Sequence, residues 1–538
     1  MTTETGVDEA PRRPRSKAML LVLGLAIVAI IAVVAAAVTR DAGAIACEPD
    51  APMTTTSRTD KRPNIVVIMT DDQTLDDYRN FMPKTKELLA KQGTEFANTF
   101  ATYPLCCPSR ATAVTGQYAH NHGVLNNVPA RPNHPEDYAG GYNKLDSTNT
   151  LPVWLQKAGY TTAHVGKYLN GYGETSKAVV PPGYTDWYGL IDPSVLQFYD
   201  YSVLDNGVEE HCGSSDADYQ TDVISRRAAN DIKKFALDSK PFYLTVWPLA
   251  PHSATDKNTA VPNRAAVNPI SPLPRAADIG KHKDLTFPRG KSFMEADVSD
   301  KPPAQQSAKA KIAEGLEKMG IGLDELDKLI DDTYRARADS LIAVDDLVEN
   351  VVNTLKATGQ LDNTVVMFTS DNGWLLGEHA IPFAKVVLYE EAVKVPMLVR
   401  GPGFPAGLTV NQIVGNIDVA PTIAAIAGAT PALDVDGIDI RPLTQDKATG
   451  RNRAILLEEY SFKPLYKGVR VPGFMYAEYE DGNVEFYDLT KDALELDSKA
   501  TDPAYEKTRA RLKVALQQLE ACKGAACHVE VPQAELRG

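Results

Sequence analysis

Short runs of β-branched and aromatic residues alternate with helical patterns through most of this chain, and this alternation limits the possible folds more than any other feature. The strand patterns lie at residues 65–69, 161–165, 242–247 and 365–369, and the helical patterns lie at 82–93, 222–237 and 334–358. Strands that alternate with helices favour a mainly parallel sheet with helices on both faces. The sequence therefore predicts a doubly wound α/β fold.

The pattern changes after about residue 450. Short strand patterns at 454–459, 475–480 and 484–488 precede a charged helical pattern at 504–522. The turn Asp481-Gly482-Asn483 between two of these strands is typical of a hairpin. We therefore expect a large domain over residues 62–450, with a Pro-rich excursion near its site between His252 and Thr333, and a smaller C-terminal subdomain over 451–538 with an antiparallel sheet and a helix.

An uninterrupted apolar run covers residues 18–38 and follows four basic residues, Arg12, Arg13, Arg15 and Lys17. The run is long enough to span a bilayer. Its basic flank predicts that residues 1–17 stay in the cytoplasm as a disordered tail. We expect a single-pass signal-anchor in the cell membrane, a linker at 39–61 and an extracytoplasmic domain. The small residues Ala44 and Ala46 leave signal cleavage and secretion open as the alternative.

The chain has 538 residues and a formal net charge of −14. Nucleic-acid binding needs a basic face, so this excess of acids argues against a nucleic-acid partner. An anionic substrate would have to be attracted locally, by a few Lys and Arg side chains and a divalent cation in one cleft. The charge balance thus points towards a metal site.

The six cysteines of an exported chain of this length indicate a few disulfides and not a disulfide framework. Cys522 and Cys527 are close enough in sequence to close a small loop, and Cys47 and Cys212 are candidates for a second bridge. Cys106 and its neighbour Cys107 are expected to be free.

Polar side chains follow all four predicted strands at the edge where ligands bind in open α/β sheets. The pairs Asp71-Asp72 and Asp371-Asn372 offer oxygen ligands of the kind that Ca²⁺ or Mg²⁺ prefers. Taken singly, each pair is more often a turn or a helix cap. Lys167 and His252 follow the other two strands, where a lysine would bind an oxygen of an anionic substrate and a histidine would donate a proton.

The segment Cys106-Cys107-Pro108-Ser109-Arg110, followed by Thr115-Gly116, resembles the type I sulfatase signature C-x-P-S-R with a later T-G. Further stretches resemble the same family, closest to its N-acetylglucosamine-6-sulfatase and heparan 6-O-endosulfatase branch. They include RPNIVVIMTDDQ at Arg62, GYTTAHVGKYLNGYG at Gly159, PLAPHS at Pro248 and NIDVAPTIAAIAG at Asn416. The resemblance implies an alkaline-phosphatase-like fold and covers nearly all of 62–502.

The resemblance also implies a mechanism and a set of residues. A formylglycine-generating enzyme would oxidise Cys106 to Cα-formylglycine (3-oxoalanine), whose hydrate attacks the sulfur of a sulfate ester. Ca²⁺, or else Mg²⁺, would be held by Asp71, Asp72, Asp371, Asn372 and an oxygen of modified Cys106. The sulfate would be bound by Lys167, His252 and Lys385. Arg110 would lie beside the formylglycine.

Two details qualify the match. Many arylsulfatases carry K-x-H where this chain has Lys167-Tyr168-Leu169, and the KYLN form belongs to the glucosamine-sulfatase branch. His379, in Gly377-Glu378-His379, is a further candidate for the substrate pocket. The expected substrate is therefore a carbohydrate sulfate of the glucosamine 6-sulfate type, with aryl sulfates as the alternative.

Two rival functions remain. A phosphoesterase of the alkaline phosphatase superfamily would share the fold, but it needs a Ser or Thr nucleophile and generally a His-rich site. A non-catalytic protein that binds sulfated carbohydrate would use the same cleft, but conversion of Cys106 would have no purpose in it.

Overall fold

A computed structural model describes residues 60–128, 140–174, 177–255, 268, 270–318, 322, 325–461 and 465–536. The predicted tail (1–17), the predicted membrane span (18–38) and the linker up to residue 59 lie outside the described residues. Within the described part, no helix is both long enough and apolar enough to cross a bilayer. Residues Thr55–Gly538 cluster as one unit. The predicted boundary at 450/451 stays a prediction.

The strands are β1 Asn64–Thr70, β2 Thr94–Phe100, β3 Thr161–Gly166, β4 Asp186–Leu190, β5 Tyr201–Asp205, β6 Val208–Cys212, β7 Phe242–Trp247, β8 Thr364–Ser370, β9 Leu375–Leu376, β10 Pro382–Ala384, β11 Lys394–Val395, β12 Met397–Arg400, β13 Leu408–Gly415, β14 Ile455–Glu459, β15 Tyr466–Val471, β16 Phe474–Tyr479 and β17 Val484–Asp488. Eleven of them form one sheet in the order β11-β2-β12-β8-β1-β7-β3-β4-β5-β6, with β13 paired to β2. The central strands β8, β1, β7, β3 and β4 are parallel. The sheet is therefore mixed and mainly parallel at its centre, as predicted.

The α-helices are α1 Leu75–Phe81, α2 Pro83–Thr85, α3 Cys106–Thr115, α4 Ala119–His122, α5 Leu151–Lys157, α6 Gln220–Phe235, α7 Pro303–Gln306, α8 Ala308–Lys318, α9 Leu326–Ala357, α10 Glu390–Val393, α11 Val419–Ala427, α12 Glu506–Glu520 and α13 Gln533–Leu536. A π-helix, Lys86–Ala90, continues α2. Short 3₁₀ turns occupy Tyr142–Lys144, Asp216–Asp218, Ala276–Asp278, Leu361–Asn363, Asn416–Asp418, Arg441–Thr444, Pro503–Tyr505 and Gly524–Cys527.

Successive residues of β1 enter two different cores. Val66 and Ile68 pack into the core that also contains the apolar sides of α6 and α9. Ile65 and Val67 pack into the core on the other face, with residues of α5 and α11. All seven residues of β1 are buried, which explains the continuous apolar run, because a parallel strand covered on both faces has no solvent side.

The C-terminal strands β14, β15, β16 and β17 form a four-stranded antiparallel sheet. Leu512, Leu516 and Leu519 of α12 share one core with this sheet. A disulfide joins Cys522 to Cys527, which confirms that predicted bridge. Cys106 and Cys107 are free and buried, also as predicted. Cys47 lies outside the described residues, so its pairing with Cys212 stays a prediction.

Some elements differ from the predictions. The helix expected over 82–93 begins at Pro83 and turns into the π-helix, which ends at Ala90. The long helix begins at Leu326 and not at Tyr334. Strand β15 was not predicted, because Lys467, Gly468 and Arg470 interrupt its apolar pattern.

Candidate active site

The carboxyl ends of four neighbouring strands bring the predicted polar residues together. The strands β8, β1, β7 and β3 lie side by side and run parallel. Asp371 therefore follows β8 at the same edge where Asp71 follows β1 and Lys167 follows β3. This edge is where an open α/β sheet binds ligands.

Asp71 is fully buried between two cations. Its Oδ2 accepts a hydrogen bond from Arg110 at 3.1 Å and another from the ammonium of Lys167. Burial alone would raise the pKa of Asp71, but Lys167 and then Arg110 hold it well below its ordinary value. Asp71 is therefore an anion at neutral pH, and its other oxygen lies 3.4 Å from Cys106 Sγ.

Asp72 adopts a left-handed backbone with φ +62°. Its Oδ1 accepts hydrogen bonds from Asn372 Nδ2 at 2.6 Å and from the ammonium of Lys385. Its Oδ2 lies 3.5 Å from His252 Nε2. A non-glycine residue held in this backbone conformation is strained, and such strain is often found at functional sites.

Arg110 ties the two acidic pairs together. Its Nε donates to Asp371 Oδ2 at 2.8 Å, while its other nitrogens reach Asp71 and the Lys167 carbonyl. The guanidinium also lies over Trp247, 5.2 Å from the ring centre. Burial, and then the charge of Asp71, raise the pKa of Asp371 to about 6. Arg110 is wholly buried and so holds both carboxylates in place.

Cys106 is the first residue of α3, and all ten residues of that helix are buried. The helix ends at Gly116, which has φ +69°, and a Cβ there would lie 2.9 Å from Pro421 Cδ. The T-G part of the signature is therefore a helix cap that only glycine fits. Burial, and then the charge of Asp71, raise the pKa of the Cys106 thiol to about 12.

Lys385 and His252 complete the predicted group. Lys385 Nζ donates to Cys106 Sγ at 2.9 Å, and it follows β10 in a loop and not in a regular element. The His252 ring is about nine-tenths buried, and its Nδ1 lies 2.7 Å from the Ser253 carbonyl oxygen. Burial lowers the pKa of His252, against the opposing charge of Asp72. The structure thus brings Cys106, Arg110, Lys167, His252 and Lys385 into one cluster with the two acidic pairs.

His379 is not part of that cluster. Its ring is buried against Tyr389, with the ring centres 3.9 Å apart, and its Nδ1 lies 3.1 Å from Glu295 Oε2. The expected place of His379 in the substrate pocket gains no support from these contacts.

Sequence reasoning did not single out three residues that support the site. Ser109 donates to the Asp371 carbonyl and accepts from Asn416 Nδ2 at 2.8 Å. Arg337 donates to the Asp72 carbonyl and to Asp77. Ser109 and Asn416 lie inside the quoted motifs, but Arg337 lies in the middle of the long helix α9, where nothing in the pattern distinguishes it.

Two oxygens of the cluster suit a hard cation. Asp72 Oδ2 and Asn372 Oδ1 are buried and have no hydrogen-bond partner among the described residues. Buried oxygens normally accept a hydrogen bond. Two buried oxygens without one, in an acidic site, therefore indicate ligands for a cation. Asp71, Asp72, Cys106 and His252 also place one possible ligand atom each within 4.8 Å of one another. The residues present therefore fit a divalent cation.

A model of the sulfatase family matches residues 63–429, which is more than half of the chain. The chain belongs to the sulfatase family. A second model, of the C-terminal part of N-sulphoglucosamine sulphohydrolase, matches residues 377–522 of this sulfatase. The family and the names of the relatives below identify the protein as a sulfuric ester hydrolase.

Two relatives cover most of the chain. The sulfatase is 33% identical to an arylsulfatase from Volvox carteri, over 87% of this chain and 76% of that protein. It is 31% identical to the N-acetylglucosamine-6-sulfatase from Homo sapiens, over 87% of this chain and 86% of that protein. These relatives confirm the predicted membership in the sulfatase family. They also confirm that the chain resembles the glucosamine-sulfatase branch.

Solved structures confirm the predicted alkaline-phosphatase-like fold. A protein solved in complex with its substrate D-glucosamine-2-N,6-O-disulfate superposes with a TM-score of 0.66 at 24% identity, over 85% of this chain and 97% of that one. The phosphonate monoester hydrolase of Agrobacterium radiobacter superposes with a TM-score of 0.62 at 20% identity, over 86% and 96%. At these identities the likeness concerns the fold alone.

Proposed function

We propose that this sulfatase hydrolyses carbohydrate sulfate esters of the glucosamine 6-sulfate type, with formylglycine at position 106 and Ca²⁺ as the metal. The observation that carries the proposal is the position of Cys106. Its sulfur lies 3.4 Å from Asp71 Oδ1 and 2.9 Å from Lys385 Nζ, at the buried start of α3. A formylglycine at position 106 would therefore lie within contact distance of both a cation and a carboxylate.

Formylglycine and Ca²⁺ would supply distinct chemistry. Hydrated formylglycine would supply one hydroxyl as the nucleophile and a second hydroxyl whose deprotonation re-forms the aldehyde and releases sulfate from the first oxygen. Asp71, Asp72, Asp371 and Asn372 would hold Ca²⁺, which would supply positive charge for the sulfate oxygens. The orphaned oxygens of Asp72 and Asn372 support that ligand set.

The chain's own cations supply the rest of the charge. Lys167 is fully buried and Lys385 nearly so, and both ammonium groups already contact site carboxylates. They would bind sulfate oxygens and neutralise charge that grows as the ester bond breaks. Because the whole molecule carries −14, this attraction has to be local.

His252 is placed to protonate the departing oxygen. Its Nδ1 lies against the Ser253 carbonyl, which fixes that nitrogen as the donor. Nε2 then lies on the side of Asp72, whose charge opposes the effect of burial on the pKa of His252 and favours the doubly protonated ring. In that form Nε2–H can donate its proton to the leaving alcohol. Arg110 donates to both Asp71 and Asp371 and so keeps the two carboxylates oriented.

Similarity to a relative supports a sugar sulfate as the substrate, whereas a cavity beside the site supports an aryl sulfate. The human relative acts, by its name, on N-acetylglucosamine 6-sulfate. Beside Lys385, however, lies a cavity of about 490 Å³ whose lining is mainly apolar and includes Trp374, Phe383 and Val387. An apolar wall favours aryl sulfates as well, so broad arylsulfatase activity is the second candidate.

Mass spectrometry of the peptide that contains Cys106 tests the modification. In protein made with a formylglycine-generating enzyme, we expect the peptide mass to correspond to formylglycine at position 106. In protein made without that enzyme, we expect the mass to correspond to cysteine. Cys106 is about 1% exposed, so conversion should precede folding. Full activity of protein whose Cys106 is wholly unmodified would contradict the proposal.

A substrate panel tests specificity. We expect higher kcat/KM for glucosamine 6-sulfate than for an aryl sulfate, and a much lower value for a phosphate monoester. Preference for the aryl sulfate would favour the second candidate, and preference for the phosphate would overturn both.

Chelation tests the metal. Removal of Ca²⁺ should lower kcat at least about tenfold, and added Ca²⁺ should restore it better than Mg²⁺. Asp72→Asn should weaken Ca²⁺ binding, whereas Asp76→Asn, in the first turn of α1, should not. Equal Ca²⁺ affinity of both variants would contradict the ligand set.

From the sequence we propose that a membrane anchor places the rest of the chain outside the cytoplasm. We also propose that residues 62–450 form the catalytic domain. Membrane fractionation should find the full chain in the membrane and a chain that lacks residues 1–40 outside it. Cleavage near Ala46 would instead release the part of the chain that follows it.

A further inference from the structure

A second cluster of ionisable side chains lies around His379, apart from the catalytic cluster. His379, Glu391 and Glu495 each place one possible ligand atom within 4.8 Å of the others. His379 is fully buried and Glu495 is about 1% exposed. The three residues come from the loop between β9 and β10, from α10, and from the segment after β17. We call these three residues the second cluster.

Atoms of the second cluster lack partners. His379 Nε2, Glu391 Oε2 and Glu495 Oε1 are buried and make no hydrogen bond within the described part of the chain. Two of these side chains are held through their other polar atom: His379 Nδ1 lies 3.1 Å from Glu295, and Glu495 Oε2 accepts from the Glu390 amide at 2.9 Å. His379 and Glu495 are therefore fixed, whereas the Glu391 side chain is about 24% exposed and can adjust to an ion.

The surroundings hold few lysines and arginines, and His379 carries the nearest positive charge. Burial lowers the pKa of His379, but its contacts with Glu295 and Glu391 raise it to about 10, so its ring holds a proton that a bound metal ion would replace. Lys301 is committed to Glu295 at 3.0 Å, and Arg470 and Lys394 are committed to Glu390. Glu378, Glu485 and Glu495 have no lysine or arginine within salt-bridge distance in the described residues. Burying uncompensated carboxylates is costly, so this region favours either bound protons or a bound cation.

We propose that His379, Glu391 and Glu495 bind a first-row divalent metal ion of the Zn²⁺ type, at a site separate from the catalytic cluster. A nitrogen and two carboxylate oxygens suit Zn²⁺ better than Ca²⁺, which prefers six to eight oxygens. His379 Nε2 lies 3.4 Å from Glu391 Oε2. Bonds of about 2.0–2.2 Å in tetrahedral geometry give an edge of roughly that length.

An ion can reach the site from solvent. Glu391 lines a cavity of about 400 Å³, together with the acidic residues Asp76, Asp77, Glu378 and Glu390. Arg79, Arg337 and Lys394 also line this cavity, but the acidic residues outnumber them, and an acidic opening concentrates cations. A water molecule from this cavity would be the fourth ligand.

The metal would brace the loop that carries Lys385. His379 precedes Lys385 in that loop, and Glu391 follows it in α10. Glu495 would connect both to the segment after the C-terminal sheet. The second cluster is thus a positioning site for Lys385 and makes no contact with the reacting atoms.

Zn²⁺ titration of full-length protein tests the proposal, in a Cys106→Ala/His252→Ala background that removes the soft ligands of the catalytic cluster. We expect one tightly bound Zn²⁺ per chain and a rise in the midpoint of thermal unfolding. Adding Glu495→Gln should weaken binding at least about tenfold, since loss of even an outer-shell partner costs about 10–100-fold. Adding Glu520→Gln, on α12, should change neither result.

Glu495→Gln is a mild change, because burial, and then the charge of Glu390, raise the pKa of Glu495 to about 8 and glutamine resembles the neutral acid. If it nevertheless fails to fold, His379→Gln removes the nitrogen ligand instead. A background protein that binds no Zn²⁺ at micromolar concentrations, or that binds it equally well with either substitution, overturns the proposal. Binding of Ca²⁺ but not Zn²⁺ that is lost in Glu495→Gln also overturns it.

Discussion

Asp71 of the catalytic cluster and Glu495 of the second cluster are equally buried, but they differ in the positive charge that surrounds them. In the catalytic cluster, Asp71 contacts both Lys167 and Arg110. In the second cluster, Glu495 has only the Glu390 amide on one oxygen and nothing in the described residues on the other. Both carboxylates are at most about 1% exposed.

The difference shows that cation placement, and not burial, decides the charge of a buried acid here. Burial is the largest influence on both residues and raises the pKa of each. At Asp71 the two cations reverse the shift, whereas at Glu495 neighbouring carboxylates add to it. The first arrangement is prepared for an anion such as sulfate, and the second for a proton or a cation.

The largest effect is expected at the nucleophile of the catalytic cluster. Cys106→Ser has no second hydroxyl whose deprotonation could release sulfate by re-forming an aldehyde, so turnover should fall at least about 10³-fold, with a trapped sulfated enzyme or no reaction. Steady-state kinetics and intact-protein mass spectrometry measure this. Cys212→Ser is the control. Near-normal multiple turnover by Cys106→Ser would contradict the mechanism.

Removal of the proton donor should depend on the leaving group. His252→Ala should lower kcat about 10²-fold for a sugar sulfate, whose alkoxide is a poor leaving group, and much less for a nitrophenyl sulfate. The exposed His211→Ala is the control. Equal losses for the two substrates would show that His252 does not donate the proton.

Neutralising Asp71 should destabilise the protein. Asp71→Asn leaves Lys167 buried without a carboxylate partner and leaves Arg110 with Asp371 alone. Chelator-treated protein should therefore lose about 3–5 kcal/mol of unfolding free energy. Urea unfolding measures this, with Glu520→Gln as a control that should stay within about 0.5 kcal/mol. A stable Asp71→Asn protein would break the contrast between the clusters.

The smallest effect is expected from Glu485, beside the second cluster, as a dependence of protein stability on pH. Burial raises its pKa to about 7, against the opposing influences of Tyr389 and Lys301. Between its ordinary pKa near 4.5 and about 7, the folded state binds a proton that the unfolded state has lost. Stability of metal-free protein should therefore fall as the pH rises through that window.

Glu485→Gln should remove the loss of stability that the wild type shows as the pH rises. The variant should match the wild type at pH 5 and exceed it by roughly 1–3 kcal/mol at pH 8, from about 1.4 kcal/mol per pKa unit. Urea unfolding at both pH values checks the difference. A wild type that is more stable at pH 8 would show that Glu485 has a cationic partner in solution.

The centre of the fold was readable from the sequence because of how its strands are buried. Strands β1, β7 and β8 are covered on both faces, and their continuous apolar runs are distinctive. Strand β13 carries polar residues at exposed positions, and β15 is interrupted, so neither shows such a run. The partial burial of these strands depends on neighbours that only the fold supplies.

The candidate site was predicted in part. The acidic pairs follow from the rule for strand ends, and Cys106 follows from the family resemblance. The role of Arg337 could not be inferred, because its partners Asp72 and Asp77 are more than 250 positions away. His379 was assigned to the pocket from its motif alone, and its contacts with Glu295 and Tyr389 are tertiary.

The sequence by itself determined the strand–helix alternation, the signature at Cys106 and the polar residues at the strand ends, because each depends on local chemistry or on spacing along the chain. Only the tertiary structure decided which cations reach which carboxylates. The charge of a buried acid depends on neighbours within a few ångströms, and those neighbours come from segments far apart in the chain.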